Sequence, residues 1–209
     1  GRLDLWAPMA SVLRRFRRAV SAFPDAAGFL APDPARVAYW RSQLPAGPTV
    51  GLLWKSLIQA GARHRFYSPF DQWKPVLTVP GATFVNLQYG DCAGELEAAR
   101  RELGVEIWTP PGIDLKQDLD EVAALCRALD LVVGPSNATS CLAGAAGVPL
   151  WLLSTPGAWP MLGTDRYPWY PQARVFLPPT LGQWEPAMQA MGQALSQWLA
   201  AGTKAPGAG

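Results

Sequence analysis

Six short runs dominate the sequence after Pro48: TVGLLW (49–54), TFVNLQ (83–88), VEIW (105–108), DLVVG (130–134), PLWLL (149–153) and ARVFL (173–177). Several are apolar at every position rather than at alternate ones. A strand that buries one face alternates, whereas continuous hydrophobicity means burial on both faces, the mark of a parallel sheet covered by helices on each side. Between the runs, helical periodicity and capping residues place helices near 69–78 (behind Ser68-Pro69), 92–103 (behind Asp91), 118–128, 138–146 and 185–200. This alternation predicts an α/β fold: a Rossmann-like parallel sheet of about six strands with helices on both faces.

Ahead of this pattern, residues 10–23 carry Val12, Leu13, Phe16, Val20 and Phe23 at helical spacing, with Arg14, Arg15, Arg17 and Arg18 mostly opposite them. A Pro/Gly/Asp-rich stretch follows, and Asp33-Pro34 then opens a helix running to about Leu44. Residues 1–47 therefore read as a helical extension and linker, 48–201 as the Rossmann-like domain, and 202–209 as a disordered tail of small residues and Pro. The chain enters on Leu3-Asp4-Leu5-Trp6 without a start Met, which suggests a piece of something longer.

A net charge of +2 is too small to argue for nucleic acid or a membrane surface, so only local charge is informative. Cys92, Cys126 and Cys141 are scattered, without the paired spacing of a zinc site, and read as reduced cytosolic thiols. No apolar run approaches the roughly 20 residues that cross a bilayer. The expectation is a cytoplasmic chain with no membrane span, no metal and no nucleic-acid partner.

In an open parallel sheet, ligands bind beyond the carboxyl ends of the strands, where helix N-termini present free N–H groups. Ser136, Asn137, Ala138, Thr139 and Ser140 form such a turn, leading into the small-residue helix CLAGAAG. It either cradles a phosphate or simply caps the helix. The loop after 49–54 concentrates Lys55, Arg63 and Arg65 beside Trp54, opposed only by Asp71 a little further on. It is either a diphosphate clamp or a solvated surface loop. His64, the single histidine, carries no assignment. Gln88 and Tyr89 end a strand and are candidates for a base or ribose contact, while Asp91 is equally a helix cap. The segment from Ser154 to Pro171 is long and aromatic, with Trp159, Tyr167, Trp169 and Tyr170; it either walls a pocket or packs across the sheet edge.

Taken in order, Val50-Gly51-Leu52-Leu53-Trp54, Phe84-Val85-Asn86-Leu87-Gln88, Asp130-Leu131-Val132-Val133, Leu142 to Pro149 with Trp151, and Tyr167-Pro168-Trp169-Tyr170-Pro171 form a series. The series resembles the C-terminal domain of heptosyltransferase-like (family 9) glycosyltransferases. In particular it looks like the bacterial versions fused behind tetratricopeptide repeats, some of them associated with flagellin glycosylation. The resemblance spans about Pro8 to Leu177. It implies the C-terminal half of a GT-B architecture, with residues 1–30 as the exit from a first domain. It further implies a nucleotide-sugar as substrate rather than a cofactor, no metal, and a leaving diphosphate held by helix N-termini and basic side chains. Where the family carries Asp-Thr-Ala followed three residues later by His, this sequence has Ser136, Asn137, Ala138 and Cys141. Any role needing charge or proton transfer at the first and last of these positions is lost.

The leading expectation is a donor-binding domain of a glycosyltransferase acting on a protein or glycan acceptor. In it Lys55, Arg63 and Arg65 neutralise phosphates, 137–140 cradle them, Gln88 and Tyr89 touch base or ribose, and the catalytic base lies in another domain or in repeats of the same protein. The alternative is a noncatalytic sugar- or protein-recognition module with a degenerate site. A sugar-nucleotide epimerase ranks last, because it needs acidic and histidine residues in the cleft.

Overall fold

A computed structural model describes residues 5–57 and 61–202. The tail expected to be disordered lies, beyond Gly202, outside the described residues. Five strands form one all-parallel sheet: β1 (Thr49–Leu52), β2 (Thr83–Asn86), β3 (Leu131–Pro135), β4 (Leu150–Leu153) and β5 (Ala173–Phe176), in the spatial order β2-β1-β3-β4-β5. The helices are α1 (Met9–Phe16), α2 (Pro34–Gln43), α3 (Lys74–Leu77), α4 (Ala93–Leu103), α5 (Leu119–Ala128), α6 (Ala138–Ala145) and α7 (Glu185–Ala200).

The continuous apolar runs divide between two cores according to strand parity. Val50, Leu52, Leu131, Val133, Trp151 and Leu153 point to one face, where α3, α4 and α7 cover them. Leu53, Val132, Leu150 and Leu152 point to the other, under α2, α5 and α6. Successive side chains of a strand point to opposite faces, so a run with no polar break needs a cover on each side. The α2 helix contributes Val37 and Trp40 to the second core. It is pinned to α5 by Glu121, which accepts from Arg36 Nε (2.6 Å), Arg36 Nη2 (2.9 Å) and the Trp40 indole (2.9 Å). Upstream of α2, the amides of Phe29 and Leu30 both donate to the Ala145 carbonyl (2.7 and 2.8 Å), tying the extension to the end of α6.

The segment 105–108, expected as a sixth strand, makes only a single parallel bridge, Val85 to Trp108. Pro110 and Pro111 follow after Thr109, and without N–H groups they cannot continue a ladder. The helix expected over 10–23 stops at Phe16, and a short 3₁₀ turn occupies Val20–Ala22. Val12 and Phe16 stay exposed, so no core holds the apolar face, and in a longer helix Arg14 would face Arg17 and Arg18 at repelling i,i+3 and i,i+4 spacings. The helix expected at 69–78 is a 3₁₀ turn over Phe70–Trp73 joined to α3. Pro75 lacks the N–H that one continuous α-helix would need there.

Gly192 allows α7 to lie against α3: a Cβ there would stand 2.3 Å from the Pro75 carbonyl oxygen. In an open helix Ala is better than Gly by about 1 kcal/mol. Here the sign reverses: Gly192→Ala is expected to lower unfolding free energy by about 1–3 kcal/mol through overpacking. Urea denaturation should show an earlier midpoint at unchanged slope.

Candidate functional site

The sheet order places its topological switch between β1 and β3. Connections leave in opposite directions there, which opens a crevice beyond the carboxyl ends. A cavity of about 550 Å³ lies at this rim, where the ends of β3 and β4 contribute Pro135 and Leu153. Its walls include Arg63, Phe66 and Tyr67 from the β1 loop, Ser136 from the β3 loop, and Trp159 and Tyr167 from the 154–171 segment. Deep in the rim, Ser154 Oγ and the Tyr167 hydroxyl share a buried hydrogen bond of 2.8 Å.

The 136–140 turn is a helix entry built around a capping box. Asn137 Oδ1 accepts the Ser140 N–H (3.2 Å), and Ser140 Oγ accepts the Asn137 N–H (2.9 Å) while donating to the Pro135 carbonyl (2.7 Å). Both polar groups are thereby committed to capping, and Thr139 and Ser140 are buried. Ser136 and the small Ala138 stay exposed, and the backbone N–H groups of Ala138 and Thr139 have no acceptor among the described residues. Asn137 Nδ2 is also buried without a partner. Unpaired donors at a helix start carry the positive end of the helix dipole.

Gln88 takes a different part from the ligand contact expected of it. It is 1% exposed, and its Oε1 accepts the N–H groups of Trp54 and Lys55 (both 2.9 Å). Its Nε2 donates to the carbonyls of Lys55 (3.1 Å) and Tyr89 (2.8 Å). Four bonds exhaust what the side chain offers, so Gln88 staples the loop after β1 to the loop after β2. Tyr89 is half-buried beside it, and Asp91 accepts the Ala93 N–H at the entry to α4 (3.1 Å).

Lys55 is not a free cation. Its ammonium pairs with Glu95 of α4, which also accepts from the buried Trp54 indole (3.4 Å). Along the sequence only Asp71 opposes this loop; in the fold the neutralising carboxylate comes from forty positions along the chain, where the loop meets α4. Burial tends to raise the Glu95 pKa, but the hydrogen bonds and charge of Lys55, with the Trp54 indole, outweigh it and hold the carboxyl below its ordinary value of 4.5. Arg63 and Arg65 are both exposed. Arg63 lines the cavity, whereas Arg65 lends its carbonyl to the Trp184 indole (3.2 Å) and its side chain runs past Gly182. His64 closes a local turn, its Nδ1 donating to the Gly61 carbonyl (2.8 Å).

Of the residues expected to bind, Arg63 and Ser136 thus share the cavity. Trp54, Lys55 and Gln88 build the neighbouring rim, Ser140 caps the helix entry, and Thr139 is buried. The aromatic side of the cavity was legible only as an alternative. Trp159 and Tyr167 line it, while Trp169 and Tyr170 pack instead on the extension, against Phe23 (5.0 Å between centroids) and Phe29 (6.4 Å). Phe66 and Tyr67 were missed, although they directly follow the basic run. Among the described residues no group of His, Cys, Asp and Glu has the arrangement of a metal site, and no helix is long and apolar enough to cross a membrane.

No family model matches the chain. Protein FlbA of Caulobacter vibrioides is 54% identical over 202 residues, which is 95% of this chain and 34% of FlbA. The chain therefore spans about a third of the length of this curated relative. Two solved structures follow the same path. One is ADP-heptose LPS heptosyltransferase II of E. coli, with a TM-score of 0.51 and 18% identity, covering 86% of this chain and 58% of that one. The other is the family 9 glycosyl transferase of Veillonella parvula, with a TM-score of 0.51 and 16% identity, covering 85% of this chain and 51% of that one. The chain shares its fold with family 9 glycosyltransferases. At 16–18% identity the likeness is one of architecture, carried by the parallel sheet and its flanking helices.

Two outcomes test the rim. Gln88→Ala strands two amides and two carbonyls and is expected to cost about 3 kcal/mol of stability, measured by denaturant unfolding. Because the Glu95 pKa is depressed on folding, its contribution is present above 4.5 and is lost as pH falls through the folded value. Glu95→Gln should therefore be less stable than the parent at pH 7, and the gap should close as both are acidified towards pH 3, as followed by melting temperature.

Proposed function

We propose that this chain is the donor-binding domain of a family 9-like glycosyltransferase, holding the diphosphate of a nucleotide-sugar in the cavity at the β1/β3 switch. The observation that carries this reading is the meeting of Arg63 and Ser136 around one cavity of about 550 Å³, with Ser136 standing directly before the N-cap of α6. A diphosphate would receive N–H donation from the α6 entry and a guanidinium from Arg63, both favourable to developing negative charge on a leaving group. The shared fold supports the reading. Lys55 acts in it by shaping the rim with Glu95, and Gln88 by fixing the two loops, rather than by direct contact.

No group in the cavity is placed to deprotonate an acceptor, so in this proposal the base and the acceptor, a protein or glycan, belong to another part of a longer protein. Tetratricopeptide repeats and a flagellin acceptor are one form this takes, suggested by the resemblance in the sequence. A second reading, recognition without turnover, is favoured by one observation: Ser136 and Cys141 stand where an acid and an imidazole would supply charge.

Binding to the native state stabilises it by RT ln(1 + [L]/Kd) and so raises the melting temperature. The chain is expected to be stabilised by at least one of the UDP-, GDP-, ADP- or CMP-linked sugars. Arg63→Ala is expected to weaken that ligand roughly 10- to 100-fold, as for loss of a charged hydrogen bond, with an unchanged melting temperature in its absence. Arg65→Ala should have a much smaller effect. Absence of stabilisation by every ligand of the panel would refute the donor-site reading, and turnover by the longer protein would separate transfer from recognition.

A further inference from the structure

The connection from β4 to β5 carries an indole at the cavity that packing does not require. Trp159 is 72% exposed, yet the backbone beneath it is tightly held. The Leu162 N–H donates to the Trp159 carbonyl (3.1 Å), and the Met161 carbonyl accepts from both the N–H (2.9 Å) and the hydroxyl (2.7 Å) of Thr164. The Met161 side chain is buried as an anchor. Leu162 turns the chain with φ 51°, the only positive φ outside glycine among the described residues. Such a conformation is disfavoured for a branched side chain and persists where the surroundings enforce it. Trp169 supports the ring from behind, edge-on at 6.1 Å and 76°, and its own indole N–H donates to the Pro160 carbonyl (2.9 Å).

A lone exposed Trp on a loose loop would be ordinary surface. This one is fixed, buttressed, and part of the wall of a cavity that also contains Arg63 and Ser136. The same wall has no carboxylate, so nothing in it repels a phosphorylated ligand. We propose that Trp159 is a stacking platform for a ring of the ligand whose phosphates lie at Arg63 and Ser136. That ring is either the nucleobase or the apolar C–H face of the sugar, both of which an electron-rich indole face accepts. The inference rests on the donor-site reading and extends it: phosphates are fixed at Arg63 and Ser136 and a ring at Trp159. Because the platform is already ordered, stacking costs little conformational entropy.

The test is calorimetric titration of the 209-residue chain, as parent, Trp159→Ala and Trp159→Phe. The ligands are pyrophosphate, the free nucleotides UDP, GDP, ADP and CMP, and their sugar conjugates. Trp159→Ala is expected to bind pyrophosphate as the parent does and to lose roughly 5- to 100-fold on ring-bearing ligands, the scale of a lost base–aromatic stack. Trp159→Phe should recover most of the loss. A loss already seen with free nucleotide identifies the base as the stacked ring, and a loss confined to the conjugate identifies the sugar. If Trp159→Ala binds every ligand like the parent, or weakens pyrophosphate equally, the platform is overturned while the donor site stands. If the parent binds none of these ligands, both readings fall together.

Discussion

Burial of the sheet on both faces is the constraint from which the rest of this structure follows. Val50 and Leu52 need one cover and Leu53 the other, and the same division recurs in β3 and β4. Covering both faces of parallel strands requires long returns, so every strand ends at the same rim and every strand-to-helix loop collects there. The site is a by-product of this geometry. Arg63 and Ser136 are over seventy positions apart, yet they meet because β1 and β3 are neighbours at the point where the connections diverge.

The polar rim is held in place by groups that do not need to touch a ligand. Gln88 ties two loops by four bonds, Glu95 neutralises Lys55 and receives the Trp54 indole, and Ser140 with Asn137 closes the start of α6. In a rim of low dielectric, an unpaired side chain at any of these positions would be costly, so chemistry that resembles a binding site in the sequence is largely spent on support. The cavity itself is lined by Arg63, Ser136 and a wall of aromatic rings.

The expected fold was legible because it depends on pattern. Apolar runs at 49–54, 83–88, 130–134, 149–153 and 173–177 correspond to the five strands, and the caps at Asp33 and Asn137 begin helices. The misses have local causes. Two prolines stop 105–108 after one bridge, Pro75 divides one expected helix, and α1 ends early because no core receives Val12 and Phe16. The site was legible less well. The hydroxyl of Ser140 and the amide of Gln88 carry the same letters whether they face a ligand or the backbone.

By itself the sequence determined the class of fold and most of the positions where helices begin. These depend on hydrophobic period and on short-range capping, which a linear pattern records. Only the tertiary structure decided that Lys55 is neutralised by a residue forty positions away, that Gln88 is a staple, and that Trp159 stands at the cavity while Trp169 and Tyr170 pack on the extension. Each of those outcomes is a choice between partners distant along the chain. The free energy that settles it comes from charge pairing and burial in three dimensions, and leaves no period in the sequence.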